Sequence, residues 1–143
     1  MPLDFGFDTG AAGLPVALTP ERRRRADRGR MAYLSGLAAE DAVARRYEAA
    51  GQPVIARRWR GRSGEVDLVA RDGETVVFIE VKSAATHAIA AEYLTRAQYD
   101  RIARTVADFV DGEPAGQMTE VRIDLALVDQ TGRVEVTENI WFD

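Results

Sequence analysis

The sequence predicts an α/β domain in three layers, and three stretches carry that prediction. The first is residues 64–82, GEVDLVARDGETVVFIEVK. Two runs rich in β-branched and aliphatic residues flank Asp72-Gly73, a dipeptide suited to the positive-φ positions of a tight hairpin turn. The second is residues 34–50, where apolar side chains recur at helical spacing. The third is residues 95–111, an amphipathic helix between the hairpin and a further apolar strand. A strand–helix–strand crossover of this kind calls for one parallel pairing in an otherwise antiparallel sheet.

Taken in order, residues 1–18 hold three glycines and two prolines among isolated hydrophobics and read as a flexible lead-in. Thr19-Pro20-Glu21 is a helix start, with a capping hydroxyl, proline at the first helical position and an acid behind it. Arg22 to Arg25 follow as a solvated run that could touch phosphate, and residues 1–32 are expected to form a flexible, basic extension to a domain of residues 33–143. Gly29 and Ser35-Gly36 argue against one unbroken helix, because glycine weakens a helix interior. In the helix that follows, Tyr33, Leu37, Ala44 and Tyr47 form a stripe, and the vacancy in it is Glu40. An acid there is costly unless paired or metal-bound; alternatively it lies at the edge of the face and reaches solvent. Gly51 ends the helix as a C-cap.

Val54 to Trp59 reads as a first strand, and Arg57, Arg58, Arg60 and Arg62 cluster about Trp59. Such a stretch can grip a sugar-phosphate backbone or be an edge strand guarded by charge. Residues 83–94 read as a loop with a short helical turn, with His87, the single histidine, an incidental loop residue. Thr95 and Gln98 form a capping box for a helix showing Tyr99, Ile102, Ala103, Val106, Phe109 and Val110 on one side. Val121 to Val128 is an apolar strand interrupted by Arg122 and Asp124, a turn follows at residues 129–132, and Val134 to Trp141 forms a last strand.

Composition bounds the function. A chain of 143 residues and 15.7 kDa suits one domain, and no apolar run approaches the ~20 residues that span a bilayer. The N-terminus lacks the pattern of a signal peptide. The absence of cysteine excludes disulfides and thiolate metal sites and fits a cytoplasmic protein. The net charge of −4 conceals a split: residues 1–64 carry twelve arginines against seven acids, and residues 65–143 carry seven basic residues against sixteen acids. A basic half beside an acidic half suits a protein that draws a polyanion toward a metal-loaded acidic pocket.

With Asp72 and Gly73 as the loop, Glu65 would face Glu80 and Asp67 would face Phe78. Alternation then places Glu65, Asp67, Phe78, Glu80 and Lys82 on one face, and Val66, Leu68, Val77, Ile79 and Val81 on the core face. Opposed like charges destabilise a sheet, so a cation is expected among the three carboxylates unless the face is simply solvated. Lys82 tips the balance toward a site, because it is the only lysine in the chain and the other eighteen basic residues are arginine. A compact ammonium fits beside a metal and a water where a wide guanidinium fork does not.

Asp67, followed after thirteen residues by Glu80-Val81-Lys82 across a hairpin, with Glu40 on the preceding helix, resembles the PD-(D/E)XK nuclease superfamily. More narrowly, GEVDLVA, FIEVK, Gly36 and Glu40, with VRIDLALV and the ending ENIWF, resemble the YraN-like family of endonuclease-like proteins, related in fold to Holliday junction resolvases. The resemblance covers about residues 33–142. It implies a restriction-endonuclease-like fold with a helix-strand-strand-strand-helix-strand core and an endonuclease acting on DNA, at branched or single-stranded structures, or a nucleic-acid-binding module of that fold with little turnover. It implies that Asp67, Glu80 and Glu40 hold Mg²⁺ or Mn²⁺, aided by the Val81 carbonyl, that Lys82 orients the attacking water, and that Glu65 supports the site. Resolvases of this fold act as dimers, so a homodimer is an expectation. The chain departs from the family pattern at Ala84, where a basic residue is usual, and at Gln98, where lysine is usual; Gln98 can still donate to phosphate.

Overall fold

The computed structural model describes residues 19–142. The lead-in expected of residues 1–18 lies outside them, as does the side chain of Tyr33. The chain divides into two units between Leu34 and Ser35.

Helix α1 runs Pro20–Ala49 without a break. Thr19 caps it as expected, its hydroxyl accepting from the Arg22 N–H at 3.1 Å. The interruption expected at Gly29 and Ser35-Gly36 does not occur. Each glycine costs only about 1 kcal/mol relative to alanine, and the surrounding arginines, alanines, leucines and glutamates are strong helix formers. The helix ends in a Schellman motif, with the Gln52 N–H reaching the Tyr47 carbonyl at 2.9 Å and the Gly51 N–H reaching that of Glu48 at 3.1 Å. Gly51 supplies the left-handed φ of 81° that this motif needs.

Five strands follow: β1 Val54–Arg60, β2 Glu65–Asp72, β3 Thr75–Ser83, β4 Val121–Val128 and β5 Val134–Thr137. They form one sheet in the order β1-β2-β3-β4-β5. All neighbours are antiparallel except β3 and β4, whose parallel register runs from Val76↔Val121 to Ser83↔Val128. The crossover holds the short helix α2, His87–Ala91, and the helix α3, Arg96–Val110. Thr95 and Gln98 make the expected reciprocal capping box.

Two helices cover the two faces. On one, Ala39, Val43, Ala44 and Tyr47 of α1 pack against Leu68, Ala70, Val77, Ile79, Ala126 and Val128. On the other, Ile102, Val106 and Val110 of α3 pack against Val66, Val69, Val76, Phe78 and Ile123. Phe109 meets Trp59 and Phe78 edge-on, at centroid distances of 5.0 and 5.3 Å. Within α3 the buried set includes Thr105, whose hydroxyl is satisfied by the Arg101 carbonyl at 2.9 Å, while Ala103 is exposed. A Cβ at Gly64 would sit 3.0 Å from the Arg101 side chain, so the start of β2 lies close under α3. This is the three-layer, restriction-endonuclease-like arrangement.

Three details differ from the expected hairpin and strands. Asp72 pairs with Thr75, so the loop is Gly73-Glu74 and the register is shifted by two residues. Gly73 takes φ 64° at the first loop position, which a type II′ turn reserves for glycine. Val66 packs under α3 while Leu68 packs under α1, so strict alternation fails at Asp67, where the β2–β3 ladder ends. The last strand stops at Thr137, because Asn139 adopts φ 54° and turns its N–H onto the Asp124 carboxylate at 2.9 Å.

Asp124 and Arg122 interrupt β4 for a structural reason. Asp124 is fully buried and accepts from the Tyr47 hydroxyl at 2.6 Å and from Arg122 at 3.0 and 3.3 Å. Arg122 continues to Asp72 at 2.9 Å and Gln52 at 3.1 Å. Burial, then the bond to Asp124, push the Tyr47 hydroxyl well above its ordinary range, which keeps it a donor. The network ties the end of α1, the hairpin turn and the C-terminal segment to β4. Replacing Tyr47 by phenylalanine should cost about 1–2 kcal/mol, because the buried carboxylate loses a donor; urea unfolding of the two proteins measures it.

Candidate metal centre

The acidic centre forms where the hairpin ladder gives out. The last paired residues on this side are Leu68 and Ile79, and one step further the same register sets Asp67 beside Glu80. Asp67 turns its carboxylate into the ladder and accepts the Val81 N–H at 2.8 Å. A side chain thus takes a backbone donor, and β2 changes face at this point.

Glu80 and Lys82 come next along β3. Their charged ends lie 3.2 Å apart, and both side chains are largely buried, at 14% and 17% exposure. Burial, then the neighbouring Asp67 carboxylate, push the Glu80 carboxyl up from its ordinary 4.5 to about 7, against the pull of Lys82. Two carboxylates in contact beside one ammonium form a site with more negative charge than its surroundings offset.

The other expected residues sit elsewhere. Glu40 is 8% exposed on α1, and its carboxylate is held by both arms of Arg58 at 3.1 and 3.2 Å. Among the described residues no group of three His, Cys, Asp or Glu side chains is gathered that could hold a metal ion, so Glu40 does not stand with Asp67 and Glu80 in this arrangement. Arg58 reaches it from a left-handed backbone at φ 50°, a strained conformation for a non-glycine residue. Glu65 lies opposite Arg60 on β1 and pairs with it at 3.7 Å rather than with the centre. The corrected turn is the reason: with Gly73-Glu74 as the loop, Glu80 faces Asp67 and not Glu65.

The arginine cluster after Val54 is paired with acids throughout. Arg57 meets Asp41 and Arg58 meets Glu40. Arg60 and Arg62 keep 77% and 83% of their side chains exposed while reaching Glu65, and Asp108 at 3.2 Å. Asp108 also accepts the Ser63 N–H, the first cause of a carboxyl held below its usual range. Gln98 serves the capping box of α3. Ala84 packs at the edge of the core near Leu125 and Leu127. His87 touches the Arg133 carbonyl at 2.8 Å and lies 3.8 Å from Asp129 and from Glu135. No local pattern marks the Arg58 conformation, whereas the opposite charges two apart at Arg122 and Asp124 are a legible signal of their pairing.

A sequence family described as "Uncharacterised protein family UPF0102" matches residues 39–128, a span that holds Glu40, Asp67, Glu80 and Lys82. The chain belongs to this family. UPF0102 is the YraN-like family that the sequence resembles, within the endonuclease-like superfamily. A UPF0102 protein of Cereibacter sphaeroides is 56% identical over 111 residues, 78% of this chain and 95% of that protein. One of Ruegeria pomeroyi is 51% identical over 114 residues, 80% of this chain and 93% of that protein. One of Dinoroseobacter shibae is 48% identical over 123 residues, 86% and 92% respectively. No helix among the described residues is long and apolar enough to cross a membrane.

The raised Glu80 carboxyl sets a pH dependence. Between 4.5 and about 7 the folded chain keeps a proton that the unfolded chain releases. Stability from this group is therefore full below 4.5 and is lost as pH rises through 7. In EDTA, the wild type should lose on the order of 2 kcal/mol between acid and mildly alkaline pH relative to Glu80→Gln. Denaturant titrations across that range measure it, and parallel curves would refute it.

Proposed function

We propose that this UPF0102 protein is a metal-dependent endonuclease that hydrolyses DNA phosphodiesters, at branched or single-stranded structures. The observation that carries this reading is the half-buried contact of Asp67, Glu80 and Lys82 at the end of the β2–β3 ladder. The donors are all hard oxygens, and burial followed by repulsion from Asp67 raises Glu80, a cost that a dication would offset; the pair therefore fits Mg²⁺ or Mn²⁺. Asp67 and Glu80 would hold the ion with the Val81 carbonyl, and Glu40 would join them only on release from Arg58. When bound it would supply Lewis acidity at the phosphate and make the attacking water more acidic.

The chain's own residues do the rest. The Lys82 ammonium, steadied at 3.2 Å by Glu80, is placed to donate to a water or a phosphate oxygen and to offset charge that develops there. Its burial strengthens that interaction. Asp67 is fixed by the Val81 N–H, so its remaining oxygen is oriented without a further ordering cost. Arg60 and Arg62, with most of their side chains in solvent, are available to a phosphate backbone at the expense of weak exposed ion pairs.

One observation favours a second reading, a nucleic-acid-binding module with the nuclease fold and little turnover. Glu40 is committed to Arg58, and Ala84 and Gln98 remove cations usual in the pattern. A nicking assay on supercoiled plasmid and on branched DNA with Mn²⁺ separates the two. The wild type should cleave, and Lys82→Ala or Asp67→Ala should lower the rate by at least ~100-fold with an unchanged circular dichroism spectrum. Equal rates in all three proteins would end the nuclease reading. DNA binding that survives EDTA with no cleavage would establish the second.

A further inference from the structure

The first half of α1 is an arginine arm that neither the acidic centre nor the family match accounts for, since that match begins at residue 39. Residues 20–31 read PERRRRADRGRM and carry Arg22, Arg23, Arg24, Arg25, Arg28 and Arg30 against only Glu21 and Asp27. The stretch is helical, and each of its residues is exposed. Among the described residues none of these six arginines has an ion-pair partner, whereas Arg57, Arg58, Arg60 and Arg62 all do. Six unpaired cations within three helical turns repel one another and invite a polyanion.

We infer that this arm docks on duplex DNA, lying in the major groove and engaging backbone phosphates without reading sequence. Three features select that partner. At 3.6 residues per turn, Arg24, Arg25 and Arg28 fall on one side with Glu21, Arg23 and Arg30 fall on another, and Arg22 lies between them. Cations on several sides suit a groove with phosphates along both walls better than a flat anionic surface. The B-form major groove is wide enough to admit an α-helix, whereas that of A-form RNA is too narrow. A membrane-surface helix needs a broad apolar face, and here only Pro20, Ala26 and Met31 are apolar. All six cations are arginine, whose fork grips phosphate with two hydrogen bonds.

The inference goes beyond the nuclease reading and needs neither metal nor cleavage, so it is tested in EDTA, where failure of the acidic centre has no effect. The full chain is titrated into a fluorescently labelled duplex at several salt concentrations and followed by anisotropy. The wild type should bind with a steep salt dependence. Changing Arg22, Arg23, Arg24 and Arg25 together to glutamine should weaken binding at least ~10-fold at low salt and flatten the slope of log affinity against log salt by about 2 to 4. Changing the same four to lysine should restore most of the slope, which separates lost charge from lost folding. An RNA duplex of the same length should bind more weakly. Absence of wild-type binding, an unchanged slope in the glutamine variant, or loss of binding to anionic vesicles or polyglutamate with duplex binding intact would overturn the inference.

Discussion

The bond from the Val81 N–H to the Asp67 carboxylate is the constraint on which the rest of the centre depends. A strand inside a sheet has no spare backbone donors, and a side chain can enter the ladder only where two strands part. At Asp67 the β2–β3 pairing ends, β2 changes face, and the carboxylate takes the freed donor. The same step brings Asp67 against Glu80, and Lys82 follows two residues on. A half-buried acidic pair beside a single ammonium is thus a product of the sheet's geometry.

That arrangement costs stability, and the surrounding fold offsets it. Both faces of the hairpin are sealed by helices, so Phe78, Leu68, Ile79 and four valines lie fully buried in and around it. Asp124, Tyr47 and Arg122 form a second buried polar set in which each member has partners. The contrast is informative. The Asp124 network is satisfied and holds the ends of four segments together, whereas in the acidic centre Asp67 and Glu80 share one ammonium, and burial with their repulsion favours a proton on Glu80.

Much of this was legible in the residues because local and global signals agree. The crossover helix was marked by its capping box and stripe, the parallel strand by its apolar run, and the centre by a solitary lysine two residues after an acid. Where the reading failed, a competing term decided. Asp72-Gly73 is a good turn dipeptide, but glycine at the first loop position with positive φ suits the chain equally well, and the register moved by two. Val66 obeyed tertiary packing under α3 rather than alternation. Helix propensity summed over thirty residues carried α1 through two glycines. The pairing of Glu40 with Arg58 was invisible because it relies on a left-handed arginine in the middle of a strand, a conformation that no local pattern announces.

Calorimetric titration of Mn²⁺ into the wild type and into Asp67→Asn probes the acidic centre as a cation site before any substrate is chosen. One binding event is expected in the wild type at mildly alkaline pH, and in the variant an affinity lower by at least ~10-fold, since a carboxylate ligand has become a neutral amide. Identical isotherms for the two proteins, or no heat from either, would contradict it.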